Sequence, residues 1–95
     1  MAKKNPNEFG VSICSIDGQR LNFGNCKTLF SVQSCSKPIT YALALEDLGP
    51  QIVHKHVGHE PSGVAFNAIC LNKENLPHNP LINSGAIMTC SLIKP

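Results

Sequence analysis

A serine and a lysine stand three residues apart in the stretch QSCSKP, at Ser34 and Lys37, immediately ahead of Pro38. A serine hydroxyl is a weak nucleophile until a neighbouring base accepts its proton. A neutral lysine can be that base, provided desolvation or a nearby cation lowers its affinity for the proton. Spacing i to i+3 at the start of a helix brings both side chains to one face of the first turn. The free N–H groups there would stabilise an alkoxide or an oxyanion. The pair therefore has the parts of an acyl-transfer device. Ser34 is equally the natural N-cap of an ordinary helix, and the spacing alone leaves both readings open.

The helix that would carry the pair is fixed by its prolines. Pro38 is tolerated only in a first turn, so the helix begins within about four residues before it. Ile39, Tyr41, Ala42, Leu45 and Leu48 follow at helical spacing and predict its buried face, and Gly49-Pro50 ends it. A second short helix is expected over 51–57. Upstream, FGVSICSI alternates apolar and small polar residues, as a half-buried strand does, and Asp17-Gly18 signals a hairpin returning through QRLNF. The apolar stretch 28–32 reads as a third short strand. Glu60-Pro61-Ser62-Gly63 and Asn79-Pro80 are turn signals. LINSGAIMTCSLIK, after Pro80, predicts a buried helix. Phe9 and Phe66 are assigned to the core.

The 95 residues suffice for one small domain; 42% are apolar and 15% charged, which excludes a disordered chain. The net charge of +2 is spread without a basic stripe, so nucleic acid is not expected as a partner. No apolar run reaches the length of a membrane span. The N-terminus MAKKNPNEFG has no apolar segment behind it and is not a secretory signal. Cys14, Cys26, Cys35, Cys70 and Cys90 are odd in number and form no C-x-x-C pair, which predicts free thiols in a reducing, intracellular compartment, several of them in the core. His54, His56 and His59 do not make a metal site: on a helix the first two lie ~200° apart. Glu46-Asp47 reads as a solvated helix end.

Three blocks in order, VQSCSKPITYALALEDLG, VGHEPSGVAFN and PHNPLINSGAI, closely resemble the serine-dependent glutaminase family, over essentially the whole chain. The wording HKHVGHEPSG and SLIKP is similar to the animal-type members. The resemblance implies an α+β fold of the serine β-lactamase and penicillin-binding-protein type, with antiparallel strands packed with helices. It implies hydrolysis of L-glutamine to L-glutamate and ammonia, with Ser34 as nucleophile and Lys37 as general base. Gln33 would frame the substrate pocket and Asn83 would hydrogen-bond the bound glutamine, a task to which an amide brings both donor and acceptor. Ser34 itself touches substrate in this scheme. No metal and no organic cofactor is implied. A homo-oligomeric full-length protein is implied, mitochondrial if it is of the animal type, although this chain carries no targeting segment.

The resemblance also has gaps. The family pocket takes a tyrosine from just upstream, and a glutamate, an asparagine and two tyrosines from beyond residue 95, whereas the only tyrosine here is Tyr41 in the helix. Ser84 replaces the family's more frequent alanine beside Asn83. Cys35 stands where the family also has cysteine and is no rival nucleophile. Residues 1–95 are thus expected to be the N-terminal portion of a glutaminase catalytic domain, inactive or very weak alone. One alternative is a non-catalytic fragment that associates with full-length glutaminase subunits. Another is a β-lactamase-like hydrolase, but S-D-N and K-T-G are missing.

Overall fold

The strand signal around Asp17-Gly18 resolves as an antiparallel hairpin in the computed structural model, which describes residues 5–65 and 68–93. β1 (Gly10–Cys14) pairs with β2 (Arg20–Gly24) in the register Val11↔Phe23, Ser12↔Asn22, Ile13↔Leu21. The turn is closed by the Gly18 N–H to Ser15 O at 3.0 Å, with Gly18 in the left-handed region at φ 87°. This is the longer hairpin loop with a glycine bulge. Ser15 and Gln19 both donate side-chain hydrogen bonds to the Asp17 carboxylate, which holds that carboxyl below its ordinary range. Alternation places Val11, Ile13, Leu21 and Phe23 on one face of the hairpin, and all four are exposed, as is Phe9. The sequence-based expectations of a half-buried strand and a core Phe9 are therefore corrected. Residues 28–32 form no strand: the sheet has two strands.

Residues 5–31 and 32–93 fall in two separate compact units. In the second, a 3-10 turn (Gln33–Ser36) leads into α1 (Lys37–Leu48). Pro38 lies in the first turn of α1, as a proline must. Gly49, at φ 76°, caps α1 through its N–H to Leu45 O at 2.9 Å, and Pro50 opens α2 (Pro50–Val53). The expected helix over 51–57 is shorter, because after Val53 the chain continues as single turns that end at Val57.

The buried stripe of α1 is Tyr41, Ala44, Leu45 and Leu48, spaced i, i+3, i+4, i+7. Ile39 and Ala42, expected on that face, are exposed, and Ala44 takes their place. Ala44, Val53 and Val57 are fully buried, with Met88, Leu92 and Ile93 packed against them. Each buried valine contributes roughly 1.5–3 kcal/mol of apolar transfer. α3 (Asn83–Leu92) turns small residues inward, burying Gly85, Ala86 and Thr89. The buried Thr89 hydroxyl donates to Gly85 O at 2.8 Å, so its polar group is satisfied.

The segment between α2 and α3 is held by backbone. The Gly58 N–H donates to Pro77 O at 2.8 Å and that of Glu60 to His78 O at 3.0 Å. No helix among the described residues is long and apolar enough to cross a membrane. The five cysteines are free, as expected, but none is buried: Cys14, Cys35 and Cys90 are exposed and the other two half-buried. Glu46 and Asp47 are exposed, in keeping with a solvated helix end, while the Phe66 assignment lies outside the described residues.

Candidate active site

Lys37 is the first residue of α1, and its side chain crosses to the start of α3. Its Nζ donates to Leu81 O at 3.0 Å and to Asn83 Oδ1 at 2.8 Å, residues 44 and 46 positions away in sequence. Lys37 Nζ donates here, so the oxygen of the Asn83 amide is the atom that faces it. Asn83 Nδ2 is then left to donate to another molecule, and the second lone pair of Oδ1 can still accept. The sequence-based reading gave Asn83 both functions toward a ligand; one of its acceptor positions is taken by Lys37.

Two N–H bonds also fix the rotation of the Lys37 amine. A neutral amine has two N–H groups and one lone pair in tetrahedral arrangement. With both N–H groups occupied, the lone pair takes the remaining direction and cannot spin away. That is the requirement for a positioned proton acceptor.

Ser34 sits in the 3-10 turn one step before Lys37, and its carbonyl accepts the Lys37 backbone N–H. It is not the N-cap of α1. That position belongs to Ser36, whose hydroxyl donates instead to Gln33 O at 2.8 Å. The 3-10 turn extends the helical path by four residues, so Ser34 lies inside the path instead of at its lip. The Ser34 side chain is exposed, and among the described residues its hydroxyl is hydrogen-bonded to nothing, Lys37 included. Gln33 adopts φ 43°, a left-handed conformation that costs a non-glycine residue about 1 kcal/mol or more and persists where the surrounding structure over-determines the backbone.

Two contributors were not foreseen in the sequence: the Leu81 carbonyl, which has no side-chain signature, and Asn79. Asn79 Oδ1 accepts the N–H groups of Leu81 at 3.0 Å and Ile82 at 3.2 Å, turning the chain into α3. The Asn-Pro turn signal marked the place but not its link to Lys37.

A cleft of about 660 Å³ lies elsewhere and is lined by His54, His59, Glu60, Lys73 and His78 among others. None of Gln33, Ser34, Lys37 or Asn83 borders it. His54 is committed within the fold: Nδ1 donates to Val57 O at 3.0 Å, so in the neutral ring Nε2 accepts the Tyr41 hydroxyl at 2.9 Å. The His59 ring packs edge-on against it, 5.0 Å between centroids. Among the described residues no three His, Cys, Asp or Glu side chains gather as metal ligands would.

Comparison with known proteins decides the family. The glutaminase family profile matches residues 1–95. The chain belongs to the glutaminase family. It is 53% identical over 94 residues to the mitochondrial liver isoform of glutaminase from Rattus norvegicus, covering 99% of this chain and 16% of that one. It is 50% identical over 95 residues to a glutaminase of Nostoc sp., covering 99% of this chain and 28% of the relative. The crystal structure of Mglu in its glutamate form superposes with a TM-score of 0.80 at 39% identity, over 96% of this chain and 21% of that one. The probable glutaminase ybaS gives 0.77 at 40% identity, over 90% and 28%. The chain thus spans between about a sixth and somewhat over a quarter of these glutaminases.

Proposed function

We infer that residues 1–95 are the N-terminal portion of a glutaminase catalytic domain and supply its nucleophile and base. The reaction is hydrolysis of L-glutamine to L-glutamate and ammonia. Ser34 Oγ attacks the side-chain carboxamide carbon while Lys37 Nζ accepts the hydroxyl proton. The proton then passes to the departing nitrogen, ammonia leaves, and water releases glutamate from the Ser34 ester. Asn83 Nδ2 donates to an oxygen of the bound amino acid, and Gln33, strained beside the nucleophile, frames the pocket. The fold of the whole domain is that of penicillin-recognising serine hydrolases. No metal or organic cofactor takes part. The complete protein works as a homo-oligomer, in mitochondria if it is of the animal type.

The observation that carries this reading is the pair of hydrogen bonds from Lys37 Nζ to Leu81 O and Asn83 Oδ1, three residues after an exposed serine. An isolated surface lysine would spend rotamer entropy to make such bonds and gain little. The family membership and a relative solved in a glutamate form point the same way.

The test is a graft. The 95 residues replace their counterpart in the Nostoc glutaminase, and glutamate release from L-glutamine is followed. The graft is active, Ser34→Ala is silent, and Lys37→Met loses roughly 10²–10⁴-fold in kcat, the range of a positioned proton acceptor. An active Ser34→Ala or a Lys37→Met of full activity sinks the assignment.

A further inference from the structure

We propose that Asn79 is a positioning residue for Lys37, acting through the turn that presents the Leu81 carbonyl and Asn83. This rests on Lys37 being the base. A lysine has four rotatable bonds, and its amine is fixed only as well as the oxygens it donates to. One of those oxygens is a main-chain carbonyl in the two-residue approach to α3, and the other is the first side chain of that helix.

Asn79 holds that approach in place. Its side-chain oxygen accepts the N–H groups of both Leu81 and Ile82, the two residues preceding Asn83. Its side-chain nitrogen donates to Glu60 O at 2.9 Å. Glu60 is in turn fixed by its N–H to His78 O. On the other side, a Cβ placed on Gly85 would stand 1.8 Å from Asn79 O, so the Asn79 backbone lies against the first turn of α3 with no room to relax inward. Asn79 therefore links three pieces of chain: its amide bonds the 58–60 segment and the 79–82 turn, and its backbone lies against the N-terminus of α3. Lys37 is gripped by the last two. Asn79 touches no reacting atom in this scheme, and its effect passes through the position of Leu81 O and Asn83 Oδ1.

The acceptor is the essential half. Asn79→Asp keeps an oxygen for the Leu81 and Ile82 N–H groups, whereas Asn79→Ala removes it. Two measurements separate this proposal from the reading beneath it. In the 95-residue chain, the Nζ–H signal of Lys37, assigned by its loss in Lys37→Met, is protected from solvent exchange. Asn79→Ala erases that protection and Asn79→Asp retains it. In the graft, Asn79→Ala lowers kcat by roughly 10²-fold, the cost of a displacement of about 1 Å at a reacting group. KM stays within about twofold, the acid limb of the kcat–pH profile moves, and Asn79→Asp recovers most of the rate.

An unchanged Lys37 signal in Asn79→Ala overturns the proposal whatever Lys37 does chemically. So does a loss expressed in KM with the wild-type pH profile, which would mark Asn79 as a pocket or folding residue. If Asn79→Ala does not fold, Asn79→Asp and Asn79→Ser decide, since Ser reaches fewer of the N–H groups and must fall between wild type and the unfolded variant in Lys37 protection. Full activity of Lys37→Met instead removes the base reading and leaves any effect of Asn79 on the Lys37 signal intact.

Discussion

Replacing Gly85 with alanine sets two physical effects against each other, and the structure says which wins. Helix propensity alone favours the substitution by up to about 1 kcal/mol, since Gly85 lies inside α3 with an ordinary helical φ. The new methyl, however, would sit 1.8 Å from Asn79 O and 2.6 Å from Asn79 C, where ordinary contact begins at 3.4 Å. Backbone must therefore retreat by 3.4 − 1.8 Å, or 1.6 Å. Asn79 makes three side-chain hydrogen bonds of 2.9 to 3.2 Å, and a shift of that size stretches them beyond bonding distance. At about 0.5–1.5 kcal/mol each, with a further ~1–3 for overpacking, the penalties exceed the propensity gain, for a net loss of roughly 1.5–6.5 kcal/mol. A unit of this size loses ~4–8 °C in Tm per kcal/mol, so the expected drop is about 6 °C or more. Thermal and urea unfolding of Gly85→Ala against wild type measure it, with Ser91→Ala, at an exposed site on the same helix, as the propensity control. Equal or higher stability in Gly85→Ala would refute the close approach of Asn79 to α3, and with it the geometry that fixes Leu81 O.

The hairpin and the histidine lock give further expectations. Asp17 titrates below its ordinary 3.8 because the Ser15 hydroxyl, then the Gln19 amide, donate to its charged form. A lowered folded value means the turn is fully supported above pH ~4 and loses that support as pH falls through the folded value. An NMR titration of the Gln19 amide should therefore show a midpoint below 3.8, abolished in Asp17→Asn; a midpoint at or above it contradicts the contact. Tyr41→Phe deletes the hydroxyl that His54 Nε2 accepts and leaves the ring packing intact. It should cost about 1 kcal/mol by thermal unfolding, and the 15N resonance of His54 Nε2 should move while Nδ1, held by Val57 O, keeps its proton. An unchanged Nε2 shift would show that the Tyr41 hydroxyl does not donate to it.

What the sequence made legible was local. Prolines and glycines announce backbone conformation by covalent necessity, so Pro38, Gly49-Pro50, Asp17-Gly18 and Asn79-Pro80 each marked a boundary that the structure keeps. Periodicity succeeded less well, because it counts apolar residues and not volumes. Ile39 and Ala42 fit the helical stripe, yet the buried place in α1 goes to Ala44, a small residue with little weight in such a count, while α3 buries its own small residues, Gly85, Ala86 and Thr89. Exposure of the hairpin's apolar face was not legible either, since alternation says which side chains share a face and nothing about what lies on it.

The candidate site shows the same division more sharply. Ser34 and Lys37 were singled out by spacing and given roles by resemblance, and spacing predicted a side-by-side pair at a helix lip. The structure brings Lys37 instead to Leu81 and Asn83, a contact across more than forty residues that no short pattern encodes. One of its two partners is a peptide carbonyl, identical in every residue type and therefore invisible in sequence. Only the asparagine that turns the chain there, Asn79, leaves a mark. A general base of the kind proposed for Lys37 is thus specified twice: by its residue type, which can be read directly, and by the acceptors that stop its amine from rotating. The second depends on how closely Gly85 lets the 79–82 turn approach the helix. On this proposal the glycine in N-S-G-A belongs to the site as firmly as the asparagine does, although it offers no chemistry of its own.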